Sequence, residues 1–293
     1  ALTREPSTSV VRLVDLDSGQ IQSLELADTV PPPPDTGDID GGPQPPLALD
    51  VSDLALAPTG TFALAVVRSL SMVLQIPVPQ GFADLTTIKS YTIAGELVGL
   101  ATISQQADRA LLYTTAVDVE RITVLPLDGV TPYKTVALRK TVEAVAIAPD
   151  GQTALIVHKK AVGDPNQAGI SADDKLARSY GYSVLRVPTG DVKLQVTSSA
   201  PGAFSIVPDG SYLFVLFRDD ASGVREVQKI EAKSFLVQPI ELGSPPISLG
   251  SVPQSKRMFV NQDHPDGRIT FIDWDTNQTR TVTGFELNSR IRD

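Results

Sequence analysis

The chain has 293 residues, with 25 Lys and Arg against 34 Asp and Glu and a formal net charge of −9. It therefore lacks the basic footprint of a nucleic-acid binder and is ill suited to an anionic lipid surface. It contains no cysteine, which excludes disulfides, thiolate metal sites and cysteine nucleophiles, and no apolar run approaches the ~20 residues that span a bilayer.

The chain starts at Ala1 with no signal segment in view, as expected of a mature or trimmed form whose targeting segment has gone. Residues 10–26, VVRLVDLDSGQIQSLEL, read as two strands across a turn, and they match 268–283 closely, LVDLDSGQ against FIDWDTNQ. They are expected to be the third and fourth strands of a four-stranded unit with no first or second strand before them. Residues 28–47 follow, with seven prolines in two clusters, 31–34 and Pro43, Pro45, Pro46, and predict an extended loop of polyproline type.

An apolar strand, a tight turn and a second apolar strand then recur five times, at 54–68, 101–115, 146–159, 205–218 and 250–262. Counted at Pro58, Gln105, Pro149, Pro208 and Pro253, the spacings are 47, 44, 59 and 45 residues. A strand-built period near 45 marks a β-propeller in which each repeat is one four-stranded blade. The third copy continues as strands at 142–148, 154–159, 182–187 and 192–197, and the last as strands at 247–251, 257–262, 268–274 and 279–283. The long interval comes from an insertion at 160–181, in which Ser171-Ala172-Asp173-Asp174 is a capping box predicting a helix over 172–179. Residues 285–292 read as the start of a further first strand.

The expectation is one all-β propeller domain over 1–293, with five whole blades and two partial ones. Seven blades are favoured in the complete ring and six are the alternative. In this architecture the second-to-third and fourth-to-first connections emerge on one face. Both 28–47 and 160–181 fall there, and long loops on a rigid scaffold are where binding usually sits.

That face collects Asp118, Asp173, Asp174, Asp219, Asp220 and Asp263, together with His158 and His264 near its strand ends and loops. Converging carboxylates would suit Ca²⁺, which takes six to eight oxygens; acidic residues in exposed loops of a −9 chain account for them equally well without a ligand. Thr36-Gly37-Asp38-Ile39-Asp40-Gly41 has part of a calcium-loop pattern but lacks its first Asp and its closing Glu. His158 and His264 with Asp263 would complete the three ligands of catalytic zinc, although their spacing does not ask for it. A Ser-His-Asp triad is not excluded by counting, but no G-x-S-x-G, Walker A or dinucleotide motif is present. The one tryptophan, Trp274, is assigned to packing between blades, and Arg68, Lys159 and Arg218 at second-strand ends to internal ion pairs.

The turns A-x-x-P-D-G at 146–151 and S-x-x-P-D-G at 205–210, each followed by an apolar strand, resemble the YVTN-type β-propeller repeats of bacterial and archaeal surface and periplasmic proteins. The resemblance covers roughly residues 50–290 and weakens at 101–115, where the turn has neither Pro nor Gly. It implies an extracytoplasmic binding or scaffold module, in the periplasm, at the cell surface or secreted, and consistent with a lipoprotein whose anchor lies outside this sequence. Similar repeats also occur in propeller lactonases and in relatives of quinone-dependent dehydrogenases.

Three expectations follow. The first is a non-catalytic module binding a protein or glycan through the long-loop face, without cofactor, nucleic acid or membrane insertion; deleting 163–176 should then abolish binding and leave the fold intact. The second is a hydrolase or lactonase with a divalent ion at the channel mouth, and the third is a subunit of a larger surface assembly.

Overall fold

The computed structural model describes residues 1–5, 8–29 and 49–284. The chain divides into two compact units, Ala1–Ala137 and Leu138–Asp293, and the boundary falls between a fourth strand and the next first strand.

The first unit opens with a three-stranded sheet of β1 (Leu2–Arg4), β2 (Val10–Val14) and β3 (Ile21–Glu25). Two four-stranded sheets follow. One holds β4 (Val51–Leu56), β5 (Phe62–Val67), β6 (Met72–Pro77) and β7 (Lys89–Thr92). The other holds β8 (Leu100–Ile103), β9 (Arg109–Tyr113), β10 (Arg121–Pro126) and β11 (Lys134–Ala137).

The second unit has three four-stranded sheets. The first is β12 (Val142–Ile147), β13 (Thr153–His158), β14 (Tyr180–Arg186) and β15 (Asp191–Thr197), with helix α1 (Ala172–Arg178) inserted between β13 and β14. The second is β16 (Pro201–Ile206), β17 (Tyr212–Asp219), β18 (Val224–Glu231) and β19 (Val237–Glu241). The third is β20 (Pro246–Ser251), β21 (Arg257–Gln262), β22 (Arg268–Asp273) and β23 (Thr279–Thr283). Five antiparallel meanders of one pattern are the blades of a β-propeller fold.

The strand sequences explain the layering. Second strands such as FALAVV in β5 are buried along their whole length, because a blade is covered on both faces and each alternate side chain meets a different neighbour. In the first unit, Leu64 and Val66 pack with Ala110 and Leu112 of the next blade, while Ala65 and Val67 pack with Val11 and Leu24. In the second unit, Leu213, Val215 and Phe217 meet Leu155, Tyr182 and Val184 of the preceding blade, while Phe214 and Leu216 meet Met258, Val260 and Trp274 of the following one. Fourth strands are polar and open, as in the fully exposed TRTVT of β23.

Two repeat features were not legible beforehand. Four of the five first strands, β4, β12, β16 and β20, shift register near their starts. In four of the five copies the tight turns also share one geometry, even at 101–115 where the sequence has decayed; at 250–262 the positive φ falls one residue earlier, on Gln254. In the copies containing Gly60, Gly151 and Gly210, a glycine with φ near +70° donates its amide to the carbonyl three residues back. Ala107 makes the same bond at φ 58°, where an L side chain is strained. Ala107→Gly is expected to raise the unfolding free energy by about 0.5–1 kcal/mol, checked by urea denaturation at unchanged m-value.

The N-terminal expectation needs correction. A strand does precede residues 10–14: β1 pairs with β2 from Leu2↔Leu13 to Arg4↔Val11, giving three strands rather than two. Its three residues, LTR, are too short and polar to show alternation, and the pairing rests on backbone bonds. The match of 10–26 to 268–283 extends to the turn chemistry. Asp15 Oδ1 accepts from the amides of Asp17 and Ser18, and Asp273 Oδ1 accepts from those of Asp275 and Thr276. Most of the Pro-rich segment 28–47, the Thr36–Gly41 pattern and residues 285–292 lie outside the described residues.

Candidate functional site

The insertion between β13 and β14 is braced at several points. Ser171 Oγ accepts from the Asp174 amide at 3.0 Å, the N-cap half of the predicted capping box, and donates to the Asp174 carboxylate at 2.7 Å. That contact holds the Asp174 carboxyl below the usual carboxylate range. At the other end of α1, the Lys140 ammonium, 2 % exposed, donates to the carbonyls of Leu176 (2.7 Å) and Ala177 (3.0 Å). A buried cation thus adds a charged donor to two carbonyls of the last helical turn, one of which also accepts from the Ser179 amide. The Ala161 amide donates to the Ala177 carbonyl at 2.9 Å, tying the start of the insertion to its end. Lys140→Met is expected to cost about 1–3 kcal/mol, because the carbonyls lose a charged donor, and to speed hydrogen exchange in 172–179.

The predicted site residues scatter into separate local roles. His158 is 1 % exposed and belongs to the core rather than to the loop face. Its Nδ1 lies 3.2 Å from the Thr141 carbonyl and its Nε2 2.7 Å from Ser183 Oγ. A carbonyl only accepts, so Nδ1 carries the proton and Nε2 accepts from the hydroxyl. Burial first, and then nearby Lys140, push the imidazole down to about 4, so it is neutral at pH 7. The spacing to Ser183 would suit a base and a nucleophile, but Ser183 is itself 1 % exposed and the group orienting the imidazole is a carbonyl. The pair joins β13 to β14.

Asp219 accepts from the Ala221 amide and the Ser222 hydroxyl, closing the tight loop between β17 and β18. Asp220 and Asp263 both pair with Arg218, at 2.8 Å and 3.0 Å, which links that loop to the one after β21 and gives Arg218 the ion-pair role expected of it. His264 Nδ1 accepts from the Asp266 amide of its own loop at 3.2 Å. Asp173 is exposed on α1, and Asp118 is exposed in the β9–β10 loop of the first unit. Among the described residues, no three His, Asp or Glu side chains gather in an arrangement that could hold a metal ion.

What the insertion does build is a pair of grooves. One, of about 500 Å³, lies between the insertion and β15 and is lined by Lys160, Asp164, Asn166, Lys175, Arg178 and Thr197, among others. The other, of about 550 Å³, runs toward β12 and β16 past Glu143, Val162, Tyr180 and Pro201. The loop face was expected to be acidic, yet three cations and one carboxylate line the first groove. Among the described residues, none of the ion pairs includes Lys160, Lys175 or Arg178. Arg178 Nη1 donates to Gln167 Oε1 at 2.7 Å, and Lys160 Nζ donates to the Gly163 carbonyl at 3.2 Å and stands 5.2 Å from the Tyr180 ring centre. A signal for this cluster was present in the sequence: Lys175 and Arg178 are three apart on a helix and share a face.

No family model and no curated protein matches the chain. Among solved structures it is similar to Kuenenia stuttgartiensis hydrazine synthase, with a TM-score of 0.48 and 16 % identity over 91 % of this chain and 71 % of that one. It is also similar to a chain of a mitotic checkpoint complex, with a TM-score of 0.49 and 12 % identity over 94 % of this chain and 72 % of that one. Neither likeness contributes to the reading of the site.

Proposed function

We propose that the chain is a non-catalytic β-propeller module of the cell envelope or extracellular space that holds a protein or glycan partner against the face carrying the 159–179 insertion. The observation that carries this reading is a surface insertion whose helix is held at both ends, by Ser171 and by buried Lys140, and whose start is tied to its end by the Ala161–Ala177 bond, with a groove on either side. A preformed, polar concavity on a rigid scaffold suits recognition, because little ordering entropy is lost on binding. The YVTN-like turns favour an extracytoplasmic setting. Of the carboxylates that would serve a metal-dependent hydrolase or lactonase, Asp219 is taken up in a turn cap and Asp220 and Asp263 in pairs with Arg218.

Deleting 163–176 is too blunt a test, because it removes the Leu176 carbonyl that Lys140 uses. Replacing 164–170 by a Gly-Ser linker of equal length keeps Ser171, α1 and both carbonyls. The intact protein and this variant are compared on a printed glycan array, alongside a turnover assay with aryl esters and lactones before and after EDTA. Binding lost in the variant, with no turnover, is expected. Binding indifferent to the replacement, or chelator-sensitive hydrolysis, overturns the proposal.

A further inference from the structure

Around the groove between the insertion and β15, Lys160, Lys175 and Arg178 face one concavity. Elsewhere in the same unit, the exposed Lys193 and Arg225 donate to backbone carbonyls, while Arg186 pairs with Asp191, Arg218 with Asp220 and Asp263, and Lys256 with Asp275. Although the chain carries a net charge of −9, these three cations are not paired this way; Arg178 helps to hold the Asp174 carboxyl low without forming an ion pair with it. Two of them are pre-positioned. Arg178 is held by Gln167, and its guanidinium lies against Gly163, where a Cβ would sit about 3.0 Å from it. Lys160 is held by the Gly163 carbonyl.

We infer that this groove binds a short acidic glycan, a uronate-bearing oligosaccharide, whose carboxylates are taken by Lys160, Lys175 and Arg178. The inference rests on the reading of this face as the binding face. The rest of the lining fits a sugar: Asn166, Thr197 and Ser198 offer amide and hydroxyl groups, and Asp164 is an acceptor for ring hydroxyls. Pro165, Val196 and Tyr180 are the apolar residues among the eleven that line it, a surface for a sugar ring to lie against with few positions for the side-chain anchors through which an acidic peptide gains affinity. A groove of about 500 Å³ is of small-ligand size. The overall negative charge, together with Asp164 inside the groove, selects against long, densely charged polyanions and leaves a ligand with a few spaced carboxylates.

Isothermal titration of the intact protein with trigalacturonic acid, with its neutral counterpart galactotriose, and with an acidic peptide of equal charge tests this. Trigalacturonate alone should bind, with affinity falling as NaCl rises from 50 to 500 mM, and Lys175→Glu together with Arg178→Glu should weaken it at least tenfold. Lys175→Glu alone, at an exposed position, should weaken it severalfold with an unchanged melting curve, and Lys256→Glu should leave it unaltered. Equal binding of galactotriose, preference for the peptide, or indifference to the two groove variants overturns the assignment. So does absence of trigalacturonate binding at millimolar concentration. In that last case, array binding lost on replacing 164–170 would leave the broader reading standing, whereas trigalacturonate binding indifferent to the groove and to that replacement would remove both.

Discussion

Trp274→Ala should lower the unfolding free energy by about 3–5 kcal/mol, the largest loss expected from a single truncation here. Trp274 is 7 % exposed and packs in the seam between two blades of the second unit, against residues that include Val207, Phe214 and Leu216. Removing the indole empties a space that rigid strands on both sides cannot close. The same seam holds Lys229, which is 4 % exposed, lies 4.0 Å from the Tyr212 ring centre and donates to Asn277 Oδ1 at 2.6 Å and to the Trp274 carbonyl. Burial lowers the Lys229 ammonium from its ordinary value, so its donors depend on acceptors that the Trp274 turn supplies. Leu16 is the control. It occupies the matching place in the N-terminal repeat but is 78 % exposed, and Leu16→Ala should change stability by no more than about 0.5 kcal/mol. Urea denaturation followed by far-UV circular dichroism measures both; a Trp274→Ala loss near that of Leu16→Ala would contradict the packing assignment.

The second large effect is a pH dependence carried by His158. In the unfolded chain its imidazole takes a proton near pH 6.5, and in the folded chain only near 4. A folded-state value depressed in this way means that the native state resists protonation. The stabilisation is therefore complete above pH 6.5, declines between 6.5 and 4, and is gone below 4. The shift corresponds to about 3 kcal/mol. His158→Gln is expected to lower stability at pH 7.5, where it disturbs the bonds to Thr141 and Ser183, and to remove most of the decline between pH 6.5 and 4. Exposed carboxylates held low by turn caps, such as Asp128 at about 2, titrate below that window. Chemical denaturation at half-unit pH steps gives the curve, and an equal decline in wild type and variant would show that His158 is not its source.

Much of the fold was legible because blades repeat. The strands predicted at 257–262 and 279–283 are β21 and β23 to the residue, and the capping box placed α1 to within one residue of its end. Ala107 shows where legibility stops: its turn keeps the shared geometry through backbone bonds after losing both Pro and Gly. Trp274 and Leu16 occupy the same turn position in matched sequences, yet one is buried and the other open, because what covers them comes from elsewhere in the chain.

The candidate site was less legible for the same reason. The loop acids were identifiable by type, but the pairing of Asp220 and Asp263 with one arginine depends on Arg218 meeting a residue 45 positions further on. His158 lies at the end of a strand, where the sequence does not distinguish core from solvent, and only the strand pairing shows its ring enclosed by Thr141 and Ser183. Lys140, lying in a connection outside the insertion, carried no local sign that it would cap a helix more than 30 residues on.

The claim that binding occupies the face of the 159–179 insertion is tested most directly by hydrogen exchange of the intact protein, with and without the glycan selected on the array. Slowed exchange is expected in 160–180 and 195–201, with none in the opposite turns at 148–152 and 207–211. Protection centred on those turns, or saturable binding without protection in 160–180, would contradict it.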